Sequence, residues 1–259
     1  MEHSPVRNLA SSVAERHWSS LAIELFLIVA GILIAMSIDN WATERENRRE
    51  ERSYLRAILV DLDAIDSEAA GKLEFERTFV ESAEAATRAI RGRHQGLDAQ
   101  EFATRIALLT LRRTARFDSP AFFDIVSSGR LALIRDDAVK AEILNYFAFT
   151  ERTELVLEKN SRDFVDNGFM PYARDLGFGA GDESAVKRVV PRDGEYESLR
   201  DTFAERAIES LDEQAWNELE VQVHWRAVVA YDDAELVEDV RSRTQELRST
   251  IEMHLTGAK

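Results

Sequence analysis

The sequence predicts an all-α protein: one N-terminal transmembrane helix that continues into a long stalk, followed by an antiparallel helical bundle. Three observations carry that reading. The first is an apolar run from Leu21 to Ile38, LAIELFLIVAGILIAMSI, holding one formal charge, Glu24. The second is the scarcity of breakers, four prolines and eleven glycines in 259 residues, which with plentiful Ala, Glu, Leu and Arg favours long helices. The third is periodicity, since apolar residues outside that run recur at steps of three and four, and no segment alternates with period two over the length of a strand.

Residues 1–20 read as a polar N-terminal tail, of which Ser11 to Ser20 can extend the helix that follows. Residues 21–41 are the transmembrane helix. At ~1.5 Å per residue the apolar run is about 27 Å long, or about 34 Å between Trp18 and Trp41, matching a hydrocarbon core of ~30 Å with an aromatic anchor at each interface. The run exceeds a signal-peptide core and ends in Asp39, Asn40 and Trp41 rather than in small residues, so an uncleaved anchor is expected. Gly31 and Ala35 lie four apart, a spacing that lets a second helix approach. Glu24 sits near the N-terminal end, where the interface and the helix dipole both favour a carboxylate.

Residues 42–92 read as the stalk packing into the bundle, with Glu44 and Arg48 as an i,i+4 pair and Leu55, Ile58, Leu62, Ile65 and Ala69 as one apolar stripe. Gly92 and Gly96 end it, and residues 93–259 form the bundle domain. Asp98 caps a helix holding Phe102, Ile106 and Leu109, and Ser119 with Pro120 opens another through Phe122, Phe123 and Val126, closed at Gly129. Leu131, Leu133 and Ile134 make a short connector. Asp136 caps a helix carrying Val139, Ile143, Phe147 and Leu157 and running to Phe164 or beyond. Glycines and Pro191 make 177–194 an irregular loop, and Trp216, Leu219, Val223, Val237, Val240, Leu247, Ile251 and Leu255 mark a long closing helix.

A net charge of −15 makes the surface acidic and argues against a nucleic-acid partner. The absence of cysteine excludes disulfides, a thiol nucleophile and cysteine-ligated metal. No catalytic or metal-ligating motif is found, and neither enzyme activity nor a cofactor is expected. None of the five histidines follows a glutamate by three residues, as a bundle metal site requires. Gly177, Gly179 and Gly181 lack the lysine of a phosphate loop, and Ser127 and Ser128 lack a nucleophile elbow. Asp61, Asp63 and Asp66 lack the glycine and terminal glutamate of a calcium loop. One basic cluster stands out, Arg105, Arg112, Arg113 and Arg116, suited either to acidic residues of neighbouring helices or to an anionic ligand or partner.

Two stretches, IELFLIVAGILIAMSIDNWATERENRREERSYL and SPAFFDIVSSGRLALIRDDAVKAEILNYF, resemble a bacterial family of single-pass membrane proteins known as a domain of unknown function. The resemblance rests on Glu24, Gly31 to Ile34, Asn40 with Trp41, Tyr54 with Leu55, and Ser128, Gly129, Leu133 and Ile134. It implies a bacterial membrane protein and assigns no activity. The N-terminus departs from it in being less basic.

The expected partners are the lipid bilayer and, through membrane helix and stalk, a second copy or another membrane protein. Arg7 and Arg16 precede the membrane helix, whereas Arg45, Arg48, Arg49, Arg52 and Arg56 follow it, so the positive-inside rule places the large domain in the cytoplasm. The expected function is that of a membrane-anchored interaction or scaffold protein; the alternative is a sensory module binding a small anion in the bundle.

Overall fold

A computed structural model of the chain describes residues 6–92, 98–178 and 206–257, with side chains from residue 23 onward. No strand occurs among the described residues. The helices are α1 (Val6–Arg91), α2 (Ala99–Leu109), α3 (Pro120–Ser127), α4 (Asp137–Asn160), α5 (Met170–Asp175) and α6 (Glu213–Thr256). A 3₁₀ turn, Arg130–Leu133, links α3 to α4, and a π-helix, Ser161–Phe169, joins α4 to α5. The chain divides into two compact units, residues 1–54 and 55–259, a boundary inside the stretch read as stalk.

The first unit is helical from Val6 because no proline follows Pro5 until Pro120. Its apolar residues face outward on every side, with Ile23, Phe26, Leu27, Leu33 and Ile38 all exposed. Among the described residues this is the one helix long and apolar enough to cross a membrane. Nothing lies within 4 Å of the Cβ position of Gly31. The Arg45 guanidinium lies 5.5 Å from the Trp41 ring centre.

In the second unit the helices are organised by three regular seams. On α1 the seam runs Leu55, Ile58, Leu62, Ile65, Ala69, Lys72, Glu76, Phe79, Ala83, Ala86 and Ile90, in strictly alternating steps of three and four, none more than 7% exposed, with Leu73 and Ser82 buried beside it. On α6 the seam runs Leu219, Val223, Arg226, Ala230, Asp233, Val237, Val240, Thr244, Leu247 and Ile251, in the same alternation, with Val229 buried beside it. On α4 the seam runs Val139, Ile143, Tyr146, Thr150, Thr153 and Leu157. An average step of 3.5 is the spacing of knobs-into-holes packing between long helices.

The contacts between seams give direction. Asp63 meets Arg248, Asp66 meets Arg241 at 3.0 Å and Arg91 meets Glu220 at 2.6 Å, so α6 descends as α1 ascends. Glu142 accepts from Thr250 at 3.0 Å, the Tyr146 and Thr244 hydroxyls share a 2.6 Å hydrogen bond, and Asn160 donates to Asp233 at 2.8 Å. Helix α6 is therefore antiparallel to both α1 and α4. At one end α2 closes the core, where Phe102 and Ile106 pack with Phe79, Phe169, Phe178 and Leu219.

The expected caps are in place. Asp98, Ser119 and Asp136 accept from the first-turn amides of α2, α3 and α4, and Gly129 ends α3 at φ +71°. Gly168 and Pro171 do not interrupt the chain's helical course from α4 to Asp175. Instead the helix widens just before Pro171, whose ring would meet the carbonyl of Asn167 in a regular α-helix. Gly177, at φ +88°, ends the run; residues 179–194 of the expected loop lie outside the described residues.

The α3 cap is tied to α1: Asp61 Oδ2 accepts from Ser119 Oγ at 2.7 Å and from the Ala121 amide at 2.9 Å, and Ser119 Oγ accepts from the Phe122 amide at 3.1 Å. Ser119→Ala and Asp61→Ala are each expected to lower stability by about 1–2 kcal/mol, and the double variant by less than the sum because both act on one cap. Thermal unfolding of the four proteins checks this; strictly additive losses would show that the two side chains act separately.

Candidate functional site: a buried charge layer

The α1 seam changes character at Lys72 and Glu76, and the α6 seam at Arg226 and Asp233. All four side chains are at most 3% exposed. Lys72 Nζ donates to Glu76 Oε1 at 2.5 Å and to the carbonyl of Arg113 at 2.7 Å. Arg226 Nε donates to the Leu109 carbonyl at 3.1 Å, its Nη2 lies 3.8 Å from Glu76 Oε2, and its guanidinium carbon stands 4.6 Å from the Phe79 ring centre. The two carbonyls belong to the C-terminus of α2 and the segment after it, so the cations of the layer also hold that segment to the bundle.

Two ends of this network are left without hydrogen-bond partners, Glu76 Oε2 and Arg226 Nη1. Burial lowers the pKa of Arg226, an effect opposed by the nearby Glu76 and Asp233 carboxylates. Burial likewise pushes the Asp233 carboxyl up to about 6; the Asn160 hydrogen bond pulls it down, Glu76 raises it, and Lys72 and Arg226 lower it. With Asp233 ionised, two cations face two anions. With Asp233 protonated, the layer carries one excess positive charge.

Beside the layer is a pocket of about 220 Å³ walled by Asp163, Phe164, Gly168 and Phe169 of the π-helix and by Gln222, Trp225 and Arg226 of α6. Arg226 thus belongs to both pocket and charge layer. Phe164 is 43% and Trp225 55% exposed, so the aromatic wall meets solvent. Asp163 is paired at the rim with Arg162 at 3.2 Å and Lys159 at 3.8 Å.

The arginine cluster singled out in the sequence is spread over separate acidic partners. Arg105 pairs with Glu101 at 2.6 Å, Arg112 with Asp166 at 3.2 Å, Arg113 with Glu68 at 2.9 Å, and Arg116 with Glu154 at 3.1 Å and Glu158 at 3.9 Å. Arg113 also lies against Gly71, where an added Cβ would come within 2.8 Å of its guanidinium. The crevice lined by Arg113, Arg116, Glu154 and Glu158 measures about 10 Å³, room for about one water. Asp61, Asp63 and Asp66 likewise go to different partners, the α3 cap, Arg248 and Arg241.

The residues expected to anchor the chain in a membrane belong to the other unit. Glu24, Gly31, Ala35 and Trp41 are exposed on α1; Trp18 lies within α1, its side chain outside those described. Sequence reasoning missed Lys72, Glu76, Arg226 and Asp233. Their signal was positional: each falls on a step of three or four that continues an apolar stripe past the point where charge interrupts it. No protein-family profile, curated protein or solved structure matches the chain.

Removing one member of a buried ion set strands the others. Glu76→Gln is expected to destabilise the protein by about 3–5 kcal/mol, read from its unfolding midpoint. A loss within that of an exposed substitution would contradict the burial described. For Asp233 the folded pKa is raised, so its contribution to stability is fully present below about 3.8 and is lost as pH rises through about 6. Asp233→Asn therefore gains on the wild type as pH rises through that window, by up to about 3 kcal/mol, and the difference is flat above it. Parallel unfolding curves across pH check the sign; a difference that shrinks with rising pH would refute it.

Proposed function

We propose that the protein is a single-pass, membrane-anchored interaction module without catalytic activity, its helix in a bacterial inner membrane and its bundle in the cytoplasm. One observation carries the reading: from Ile23 to Ile38 the large apolar side chains of α1 are between 46% and 70% exposed, around the whole circumference. A water-facing helix of this kind has no counterpart in soluble proteins, and a surface-lying amphipathic helix would keep one polar face. Transferring each Leu, Ile or Phe from water to lipid contributes about 1.5–3 kcal/mol, so the set outweighs by far the ~2.5–3.5 kcal/mol cost of one carboxylate such as Glu24.

The open surface at Gly31, with Ala35 one turn on, supports a partner helix there, either a second copy or another membrane protein. The excess of arginine after the membrane helix supports the cytoplasmic placement. Two measurements test the reading. The full chain is expected to stay with membranes through alkaline extraction, and a chain lacking residues 21–41 is expected to be released. In detergent, sedimentation is expected to show an oligomer that Gly31→Leu with Ala35→Leu shifts toward monomer. Release of the full chain, or a strict monomer with no membrane partner recovered by cross-linking, would overturn it.

A further inference from the structure

We propose that residues 111–119, the non-helical segment between α2 and α3, are a strap latched by charge, which opens as a unit ahead of the helices beneath it when its charged contacts are screened. The inference is independent of membrane anchoring.

Burial alternates along the strap: Ala115, Phe117 and Ser119 are buried, whereas Thr114, Arg116 and Asp118 are exposed, the period of an extended chain with one face toward the bundle. An extended chain ordinarily fastens its backbone to a neighbouring strand. Here, among the described residues, no backbone-to-backbone hydrogen bond reaches residues 112–118, and charged side chains hold the segment instead. On α1, Lys72 Nζ donates to the Arg113 carbonyl at 2.7 Å, Glu68 pairs with the Arg113 guanidinium at 2.9 Å, and Asp61 Oδ2 accepts from Ser119 Oγ at 2.7 Å. On α4, Glu154 accepts from the Phe117 amide and pairs with Arg116 at 3.1 Å. On the π-helix, Asp166 pairs with Arg112 at 3.2 Å. Each of these ties has an ionised side chain as one partner.

The forces on the strap therefore differ from those in the seams. Its fully buried apolar side chains are Ala115 and Phe117 alone. The Arg112, Arg113 and Arg116 side chains are 42%, 38% and 61% exposed, so salt screens their pairs, as it does not screen apolar packing. Lys72 is 1% exposed beneath the Arg113 carbonyl; when the strap leaves, water takes the place of that carbonyl, and hydration of the cation offsets part of the lost contact. The direct ties among α1, α4 and α6, at Asp66 with Arg241, Tyr146 with Thr244 and Asn160 or the π-helix seam with α6, involve no strap residue. Segments with few apolar anchors and many solvent-facing polar contacts lie at the low end of the range of local stabilities.

Opening has two results. It releases Arg112, Arg113 and Arg116 from their carboxylates together, so that the basic cluster stands free only in the open form. It also uncovers Lys72 and admits water to the charge layer. The strap is thus a cover over that layer whose closure depends on ionic strength.

The test uses the full chain in non-ionic detergent micelles at one pH. Because the chain has no native cysteine, a single introduced thiol reports one place. Ala115→Cys sets the probe under the strap, and Val240→Cys, at a fully buried position of the α6 seam, reports opening of the bundle. Each is labelled with the uncharged reagent 4,4′-dithiodipyridine, its rate divided by that of the same chain unfolded in urea. The Ala115 probe is expected to react at least a hundredfold faster than the Val240 probe. Raising the salt from about 0.1 M to about 1 M should speed it at least fivefold further and change the Val240 probe less than twofold. Glu154→Gln, which removes the charge facing Arg116 and the Phe117 amide, should speed the Ala115 probe at least threefold at low salt. If Ala115→Cys fails to fold, Ser119→Cys, a one-atom replacement in the same strap, carries the same comparison. Equal rates at strap and seam would mean that the strap opens only with the whole bundle, and a fast strap rate indifferent to salt and to Glu154→Gln would mean that no charge latch exists; either result overturns the proposal.

Discussion

The helix bundle is built around one constraint: four ionised side chains, Lys72, Glu76, Arg226 and Asp233, stand where a heptad seam asks for leucine. Removing such groups from water costs several kcal/mol each, and their mutual attraction recovers this only in one geometry. The Lys72 hydrogen bonds to Glu76 and to the Arg113 carbonyl, together with that of Arg226 to the Leu109 carbonyl, exist only when α1, α6 and the α2 segment are aligned as they are. The apolar parts of the seams are far less particular, since an antiparallel pair of heptad helices can slide by seven residues and again bury leucine, valine and isoleucine. The layer's contribution is therefore to register more than to stability, the role best attested for polar residues at seam positions.

A second departure from regularity lies beside the first. Through α4 the seam positions alternate by four and three, but from Leu157 onward the buried positions fall at Ser161, Val165, Phe169 and Ala173, always four apart. A helix of 3.6 residues per turn would rotate such a row away from the core, and the π-helix keeps it facing inward. Pro171 provides a local reason for the widening. The two irregularities meet at Asn160 and Arg226: Asn160, the last residue of α4, holds Asp233 of the charge layer, and Arg226 carries the layer into the pocket wall formed by the π-helix.

Much of this was legible in the sequence, for identifiable reasons. The caps at Asp98, Ser119 and Asp136 and the left-handed Gly129 depend on local chemistry, and local chemistry is what a sequence displays. The stripe Leu55 to Ala69 was legible because it is purely apolar. It extends to Ile90, but Lys72 and Glu76 interrupt it, and a charge on a helix is ordinarily a sign of solvent. The same happened on α6, where Val223 and Val237 were visible and Arg226 and Asp233 between them were not. The partners of Arg226, which are Glu76 and the Leu109 carbonyl, lie more than a hundred residues away in the chain, and the contacts that tie Lys72 to Arg113 and Asp233 to Asn160 span 41 and 73 residues. Arg112, Arg113 and Arg116 looked like a patch because they are adjacent in sequence, whereas their partners Asp166, Glu68 and Glu154 come from three different places. Helix α1 also changes its pattern along its length, apolar on all sides to Ile38 and on one stripe from Leu55.

The central claim, that the charge layer fixes how α1 and α6 align, is open to a direct measurement because the chain has no native cysteine. Cysteine pairs would be introduced in register, Asp66→Cys with Arg241→Cys, and one heptad out of register, Asp66→Cys with Arg248→Cys, then oxidised to disulfides, which form only where the two Cα atoms come within about 7 Å. With the layer intact only the in-register pair should cross-link. When Lys72, Glu76, Arg226 and Asp233 are all replaced by leucine the bundle should remain helical, but the out-of-register pair should now cross-link too. Exclusive in-register cross-linking in the leucine variant would contradict the account and return the alignment to apolar packing alone.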